Sequence, residues 1–490
     1  MLPERIASAI QDFVATCHAP ALLEAGEKPL VLSQDRFRID VNARGTWLEA
    51  WDDHRLWSRR ILNVGIASRK KLELEAFRFG KANLSVSLVD VADPRCAPAI
   101  EKTNRSAFTE KFRLFLNRNY GNWRWQAFRS EAKLENSLSP TYPTALLTRG
   151  QEAVAALASP DRDTGFHALT FALIWLHWVQ RRHGEIAASR LLLYLPQEHA
   201  RSIVLLARHL DATKLKIDIW LYDDTGGESL LDPADYGNLE STLAPRYSRL
   251  CGPAWWVDLL GRHPEIDMIE EADGSLGYRI RGLEIARLRP ASGNEIPRLE
   301  YGLRRKRKAA LSELPAIEQL IEQVLSLRHS KAENRINPIY LGEPERWLES
   351  QVRRNIGEIE ANIAPHCLYG QALGSLHGER SALDLLGIDH AGRLNIFELK
   401  VTEDIHLPLQ AFDYWLRIRH HLACGDFSGS GYFPGRELSR NAPRIFLLSP
   451  SLHFHPMTEA VLRWLPPTCE VTRIGLNGDW RERIDVVIRR

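Results

Sequence analysis

The sequence predicts a mixed α/β protein of several domains, and three observations support this fold class. The chain has 490 residues, enough for two to four domains, and its apolar (44%) and charged (26%) fractions are those of an ordinary globular protein. Apolar and polar residues alternate between residues 33 and 92, as they do in strands. Helix, hairpin, helix and strand patterns then follow one another twice, at residues 105–225 and 341–479.

These patterns divide the chain into four predicted domains. They are a β-rich domain, a first α/β domain, a connector and a second α/β domain, at residues 1–100, 101–225, 226–335 and 336–490. In the β-rich domain, Phe37, Ile39 and Val41 alternate with polar residues, which predicts an antiparallel sheet with one solvated face.

The connector carries a hairpin, a basic run and a helix. Asp273 and Gly274 form a turn signal between two strand-like runs. Residues 304–308 are all basic, so they could contact a nucleic-acid backbone or form a solvated surface. The helix that follows has Ile317 and Ile321 on its inner side.

The segment from Asp384 to Lys400 is the most informative part of the sequence. If the chain folds back at Ala391, Asp384 lies opposite Glu398, and Lys400 lies on the same face of the hairpin. The other residues on that face are aliphatic, so the two carboxylates would repel each other in a medium of low dielectric constant. A divalent cation bound by both would remove the repulsion, because hard cations prefer oxygen ligands.

Helices on either side of the hairpin add further polar groups. A predicted helix before it places Glu345 and Glu349 on one face. A predicted helix after it places Gln410 and Tyr414 four residues apart, hence on one face, with Arg417 beside them.

In the order of these elements, residues 336–490 resemble the RecB-like branch of the PD-(D/E)XK nuclease superfamily, which shows a Gln-x-x-x-Tyr helix after its Glu-x-Lys strand. The resemblance implies a restriction-endonuclease-like αβββαβ domain that cleaves nucleic acid. It also implies that an Asp and a Glu hold Mg²⁺ or Mn²⁺, and that the Lys helps to orient and activate the attacking water.

The resemblance assigns roles to particular residues of this chain. The implied metal ligands are Asp384, Glu398 and the carbonyl group of Leu399. The implied catalytic residues are Asp384, Glu398, Lys400 and an acid from the upstream helix, where spacing leaves both Glu345 and Glu349 open. The residues expected to contact the substrate are Gln410, Tyr414, Arg417 and Arg393.

Residues 105–225 repeat this order of elements without the site residues. Segment 109–119 parallels 345–355, and segment 145–159 parallels the hairpin. The positions of Asp384, Glu398 and Lys400 then fall among alanine and serine, whereas Glu345, Glu349, Gln410 and Tyr414 correspond to Thr109, Arg113, Thr170 and Ile174.

We therefore predict a degenerate nuclease-like copy in the middle of the chain. It would act as a structural or DNA-binding partner of the second copy, so that the chain forms an intramolecular pseudo-dimer; a homodimer is also open. The alternative is that two unrelated domains share a common α/β order of elements.

The composition excludes several other classes of protein. The net charge is +2, so nucleic-acid binding has to come from local basic patches. No Gly-x-x-x-x-Gly-Lys-Ser/Thr loop occurs, which argues against an intrinsic ATPase. The six cysteines are scattered, which argues against a zinc ribbon or a disulfide framework. The longest apolar run, near residues 168–179, is too short for a membrane span. We expect a cytoplasmic protein that does not contact membranes.

The leading functional hypothesis is a phosphodiesterase that hydrolyses DNA with Mg²⁺ or Mn²⁺ as cofactor. The alternatives are a catalytically inactive nucleic-acid-binding or scaffold protein of the same fold, and an RNA-directed nuclease. The enzyme is favoured because the second copy keeps the acidic and basic groups that the first copy lacks.

Overall fold

The computed structural model is of the mixed α/β class, as the sequence predicts. The structure describes residues 2–33, 35–43, 45–52, 55–68, 71–78, 81–131, 138–139, 141–160, 167–182, 188–223, 225–237, 239–246, 250, 252–290, 297–373 and 383–490. The α-helices in these ranges are α1 (Pro3–Thr16), α2 (Ala97–Asn119), α3 (His167–Arg182), α4 (Arg201–Ala207), α5 (Ala254–Arg262), α6 (Leu314–Leu327), α7 (Pro338–Leu341), α8 (Pro344–Arg354), α9 (Ile356–Ile359), α10 (Leu407–Cys424), α11 (Asp426–Gly429) and α12 (Thr458–Leu462).

The strands form four sheets. The strands of the first two sheets are β1 (Pro20–Glu24), β2 (Leu30–Val31), β3 (Phe37–Asn42), β4 (Gly45–Trp51), β5 (Leu56–Ala67), β6 (Lys71–Arg78), β7 (Lys81–Asp90), β8 (Arg124–Arg129), β9 (Thr144–Arg149), β10 (Glu152–Ala158), β11 (Arg190–Pro196), β12 (Lys216–Tyr222) and β13 (Glu228–Leu231). Those of the last two are β14 (Ile266–Glu270), β15 (Leu276–Ile280), β16 (Leu283–Arg289), β17 (Arg298–Tyr301), β18 (Arg307–Lys308), β19 (Ile363–Tyr369), β20 (Leu385–Asp389), β21 (Leu394–Leu399), β22 (Arg444–Pro450), β23 (Glu470–Leu476) and β24 (Val486–Arg489).

The chain divides into two compact units. The first comprises Met1–Arg201 and Lys216–Leu231, and the second comprises Ser202–Leu215 and Asp232–Arg490. Segment 202–215 thus belongs to the second unit, although the sequence pattern places it in the domain at 101–225. A backbone hydrogen bond within the second unit anchors this segment, since the amide of Asp211 donates to the carbonyl oxygen of Trp464 at 2.9 Å.

The first unit begins with the predicted antiparallel sheet. Its seven strands run in the order β2-β1-β7-β6-β5-β4-β3, and every pair is antiparallel. One face of this sheet packs on α1, which buries Ile6, Ile10 and Phe13 at helical spacing. Helix α1 precedes the alternating pattern of residues 33–92 and is absent from the prediction.

Two six-stranded sheets, one in each unit, have the same topology. Their orders are β8-β9-β10-β11-β12-β13 and β19-β20-β21-β22-β23-β24. In both sheets the third, fourth and fifth strands are parallel to one another, and the remaining pairs are antiparallel. The predicted repeat of element order is therefore present, and β13 extends the first copy past its predicted end at residue 225.

The helices that precede these two sheets end alike. The side-chain amide of Asn119 donates to the carbonyl oxygen of Phe115 at 3.2 Å, and that of Asn355 donates to Gln351 at 2.8 Å. Both asparagines reach back four residues at a helix C-terminus, which agrees with the predicted match of segments 109–119 and 345–355.

The predicted connector is a domain with its own core. Strands β14 to β18 form a five-stranded antiparallel sheet, and α5 and α6 cover it with residues such as Trp256 and Ile321. The turn before β16 lies against α8: Gly282 has φ +79°, and a Cβ atom there would lie 2.1 Å from the carbonyl oxygen of Arg346. Only glycine combines this backbone angle with so close an approach.

The last sheet has a helix on each face. Helix α8 begins with Pro344 and buries Trp347 and Leu348 against alternate residues of β20 to β23, such as Phe397. Helix α10 lies against β21 and β22, and it ends at Gly425, whose φ of +76° suits a helix C-cap. Within the described residues no helix is both long and apolar enough to cross a lipid bilayer.

Candidate active site

The predicted hairpin forms with the predicted register. Leu386 pairs with Ile396 across β20 and β21, so Asp384, one residue before β20, lies opposite Glu398. The amide of Leu399 donates a hydrogen bond to Oδ2 of Asp384 at 2.9 Å. The two carboxylates thus occupy the same end of the hairpin, where Glu398 is only 1% exposed.

Burial makes this pair of carboxylates electrostatically unfavourable. Burial, followed by the charge of Glu349, raises the pKa of Asp384 to about 7. Burial and the charge of Asp384 likewise raise the pKa of Glu398 well above its ordinary value. Oε2 of Glu398 is buried and has no hydrogen-bond partner in the described part of the chain. The two carboxylates are therefore not fully compensated by positive charge, and Oε2 of Glu398 lacks a hydrogen-bond donor or a cation.

Lys400 lies among three carboxylates. Its Nζ is 3.8 Å from Oε1 of Glu398, 3.9 Å from Oε1 of Glu345 and 3.9 Å from Oδ2 of Asp404. Burial alone would lower the pKa of Lys400, but these carboxylates outweigh burial and raise the pKa. The side chain is consequently an ammonium group at neutral pH, which can donate hydrogen bonds and offset negative charge.

The two acids of α8 have different surroundings. Glu349 is buried between Arg346, whose Nη1 lies 2.6 Å from Oε2, and Arg353, whose Nη2 lies 3.0 Å from Oε1. Burial opposes the ionisation of Glu349, but these two guanidinium groups lower its pKa overall. Glu345 is 42% exposed and faces Lys400. Of the two acids, Glu345 is therefore the one whose carboxylate is available at the site.

Gln410 and Tyr414 form a hydrogen-bonded pair on α10. Nε2 of Gln410 donates to the hydroxyl oxygen of Tyr414 at 3.1 Å. Tyr414 is 2% exposed, and burial, with the nearby charge of Glu398 next, raises its pKa. The helical spacing thus places both side chains on one face of α10, as the sequence predicts, and Tyr414 lies near Glu398.

Two arginines expected to contact the substrate are held elsewhere. Arg417 donates from Nε to Asp413 at 2.7 Å and from Nη1 to the carbonyl oxygen of Glu240 at 2.9 Å. Arg393 precedes β21, so it lies at the opposite end of that strand from the site, and both of its terminal nitrogens donate to Glu470. The structure does not bring Arg393 to the carboxylates, and we leave it out of the proposed site.

The structure also places residues at the site that the sequence analysis omitted. Asp404 lies in the loop before α10, where its Oδ1 accepts from the amide of His406 at 2.8 Å, and no helical or strand period relates it to Lys400. Arg346 and Arg353, by contrast, stand three residues before and four after Glu349. That helical spacing is a readable signal that Glu349 has ion-pair partners.

The first copy has apolar or small polar residues at the corresponding positions. Those equivalent to Asp384, Glu398 and Lys400 are Thr144, Leu157 and Ser159. The strand register corrects the sequence comparison, in which these positions fall among alanine and serine. In the structure the positions of Asp384 and Glu398 are Thr144 and Leu157, which pair with each other. All the same, none of these three side chains carries a charge.

The residues present fit a small divalent cation. Among the described residues, no three His, Cys, Asp or Glu side chains are placed to hold a metal ion together. Mg²⁺ does not require three, since it keeps several waters and binds through one or two carboxylates and the substrate phosphates. Asp384 and Glu398 supply such a pair. The backbone of Leu399 adjoins them, although the contact observed is made by its amide rather than by the predicted carbonyl.

Comparison with known proteins adds no family to this description. No protein-family model matches the chain, and no curated protein matches it significantly.

Substitution of the two acids of α8 should change the stability of the protein by different amounts. Glu349→Gln should lower the free energy of unfolding by about 3 kcal/mol, because it leaves two partly buried guanidinium groups without a carboxylate. Glu345→Gln removes an exposed charge and should change stability by less than about 0.5 kcal/mol. Urea unfolding of both variants measures this difference, and equal stabilities would refute the assignment of the two glutamates.

The raised pKa of Asp384 predicts a pH-dependent stability in buffer without divalent cations. Because its pKa of about 7 in the folded protein exceeds the ordinary 3.8, folding takes up a proton between these values. The contribution of Asp384 to the free energy of unfolding should be greatest below about pH 4. It should fall by a few kcal/mol as pH rises through 7.

Asp384→Asn is the control for this pH dependence. The variant should lack this component of the pH dependence and should be more stable than the wild type at pH 8. Mg²⁺ should stabilise the wild type at pH 8 and leave the variant unchanged in thermal unfolding. Identical pH profiles for the two proteins would contradict the assignment.

Proposed function

We propose that this protein hydrolyses phosphodiester bonds of DNA with Mg²⁺ or Mn²⁺ bound by Asp384 and Glu398. The observation that carries the proposal is the facing pair of carboxylates, with Glu398 buried and Asp384 half-buried, beside the ammonium group of Lys400. Such a pair costs stability unless a cation compensates it. Strongly perturbed ionisable groups of this kind concentrate at functional sites.

The first copy supports the view that these charges serve a function other than folding. It builds the same sheet topology with Thr144, Leu157 and Ser159 at the equivalent positions, and its strands β9 and β10 are buried on both faces. The architecture therefore does not need the carboxylates or the lysine. In the second copy the raised pKa values of Asp384 and Glu398 mark their charged forms as unfavourable in the fold, which is the pattern of a site maintained for chemistry.

Each residue of the site has a role that follows from its position. Asp384 and Glu398 would hold the cation, which when bound would polarise the phosphodiester and offset the charge that develops on its oxygens. Lys400, as an ammonium group, would donate a hydrogen bond to the attacking water or to a phosphate oxygen. Glu345 lies 3.9 Å from Lys400 and would keep it protonated and oriented.

The α10 pair would act as a support for the carboxylates. Tyr414 is buried beside Glu398, and Gln410 fixes the orientation of its hydroxyl group. Because Gln410 is only partly buried, its remaining hydrogen-bonding capacity can serve a nucleic-acid strand. The assignment to DNA rests on the resemblance of residues 336–490 to RecB-like nucleases, and an RNA substrate is the alternative.

Removing one charged group from the site should lower the rate of cleavage strongly. In Mg²⁺ or Mn²⁺ the wild type should cut DNA, and Asp384→Asn or Lys400→Met should lower the rate by a factor on the order of 10³. Thr144→Ala and Ser159→Ala change the equivalent positions of the first copy and should retain full activity. The assay compares plasmid, linear and single-stranded DNA with RNA, with EDTA as the metal-free control.

Three outcomes would decide against the proposal. Intact substrates in every lane would favour a binding or scaffold protein. Cleavage of RNA alone would replace the DNA assignment. Equal activity of wild type and Asp384→Asn would show that cleavage comes from another site or from a contaminant.

A further inference from the structure

Ser449 carries a buried hydroxyl group for which the roles assigned so far have no use. The residue lies near the carboxyl end of β22 and is 0% exposed, and its Oγ has no hydrogen-bond partner in the described part of the chain. A buried hydroxyl group without a partner costs folding free energy. Its presence therefore calls for a contact that the protein makes in another state.

Strand register places Ser449 next to Lys400. The amide of Lys400 donates to the carbonyl oxygen of Leu448 at 3.0 Å, which continues the parallel ladder of β21 and β22. Lys400 and Ser449 are therefore neighbours across the two strands, at a spacing of roughly 4.8 Å, and both side chains leave the sheet on the face of Glu398. On its other side Ser449 pairs with Gly475 of β23, which has no side chain. Lys400 is thus the polar neighbour of Ser449 in this row of the sheet.

The ammonium group of Lys400 is attracted to its carboxylate neighbours without being fixed by them. Oxygen atoms of Glu398, Glu345 and Asp404 lie 3.8 to 3.9 Å from Nζ. These distances suit ionic attraction but exceed the roughly 2.7–3.2 Å of a hydrogen bond. Nearly equal attraction toward three carboxylates offsets the positive charge and leaves the direction of the N–H groups undetermined. A hydrogen-bond acceptor beside the ammonium group would determine it.

The first copy lacks both the lysine and the buried hydroxyl group beside it. There the amide of Ser159 donates to the carbonyl oxygen of Tyr194 at 2.9 Å, which is the ladder contact that Lys400 makes in the second copy. Leu195 therefore occupies the position of Ser449, and it is also 0% exposed. An apolar side chain fills this buried position where the lysine is absent, so the fold does not require a hydroxyl group there.

We propose that Ser449 is a positioning residue for Lys400. Its hydroxyl oxygen accepts a hydrogen bond from the ammonium group, directly or through one water molecule, and so directs the remaining N–H groups at the attacking water or a phosphate oxygen. With a cation bound to Glu398, this carboxylate attracts the ammonium group less, and the hydrogen bond to Ser449 then determines its direction. The inference rests on the proposed function and deepens it, since it names the group that orients the lysine of the same site.

Steady-state cleavage and thermal unfolding of the full chain test this role. Ser449→Ala should lower kcat about tenfold and leave KM for DNA and the affinity for Mn²⁺ unchanged, because it removes neither a cation ligand nor a substrate contact. Ser449→Thr keeps the hydroxyl group and should restore most of kcat. The alanine variant should unfold at the same or a higher temperature than the wild type in buffer without divalent cations, since the lost group has no partner there. A lower unfolding temperature with unchanged kcat would show a purely structural serine.

A double-variant cycle and a matched control show whether the serine acts through the lysine. With Lys400→Met in place, Ser449→Ala should cause no further loss of rate. Thr458→Val removes another buried hydroxyl group that has no partner among the described residues, and this group lies on α12 rather than beside Lys400 in the sheet. This control should retain the kcat of the wild type. Equal losses from Ser449→Ala and Thr458→Val, or independent losses in the cycle, would overturn the inference.

Nuclear magnetic resonance of the Lys400 ammonium group tests the contact without cleavage. In Mg²⁺-loaded protein with isotope-labelled lysine, the signal that Lys400→Met removes should show slow hydrogen exchange in the wild type and fast exchange in Ser449→Ala. If the wild type cleaves DNA but neither this signal nor kcat responds to Ser449→Ala, the inference fails and the nuclease stands. If no substrate is cut but the signal responds, the contact stands and the nuclease fails.

Discussion

The repulsion between the paired carboxylates is the constraint on which the site depends. Asp384 and Glu398 lie opposite each other at one end of a hairpin, and both have a raised pKa. Burial and the charge of Glu349 raise the pKa of Asp384, and burial and the charge of Asp384 raise the pKa of Glu398. The protein supplies partial compensation through the amide of Leu399 and the ammonium group of Lys400. Oε2 of Glu398 has no hydrogen-bond partner among the described residues, so the negative charge is only partly compensated. A bound cation would supply the missing positive charge.

The surroundings of this pair are built by more than one domain of the second unit. Helix α8, which carries Glu345, is held by the sheet of β14 to β18. The side chain of Arg354 donates to Asp267 of β14 at 2.7 Å, and Ser350 donates to the same carboxylate at 2.6 Å. Gly282 allows the backbone of this sheet to touch the helix. The segment that the sequence indicates as a connector thus fixes the position of the helix that carries Glu345 and Glu349.

The parts of the fold that follow from local sequence signals could be predicted. Strands β20 and β21 are buried on both faces, so their register follows from the position of the turn, where the side chain of Asp389 accepts hydrogen bonds from the amides of Ala391 and Arg393. The pairing of Gln410 with Tyr414 follows from helical spacing. The sequence could also predict that Glu345, rather than Glu349, has an available carboxylate, because arginines at helical spacing from Glu349 indicate that it forms ion pairs.

Other features depend on tertiary arrangement and have no local signal. Asp404 approaches Lys400 through a loop, and Arg417 is engaged by a backbone carbonyl at Glu240, far away in the sequence. No family model or curated relative supplies these arrangements, so they emerge only from the fold itself.

Calorimetric titration with Mn²⁺ tests the central claim most directly, because it measures cation binding independently of cleavage. The wild type should bind one Mn²⁺ in the absence of DNA and should release protons on binding at pH 7, since the pKa of Asp384 is about 7. Asp384→Asn should remove that binding, whereas Thr144→Ala in the first copy should not alter it. No heat of binding in the wild type, or equal binding by Asp384→Asn, would contradict a cation site at the paired carboxylates.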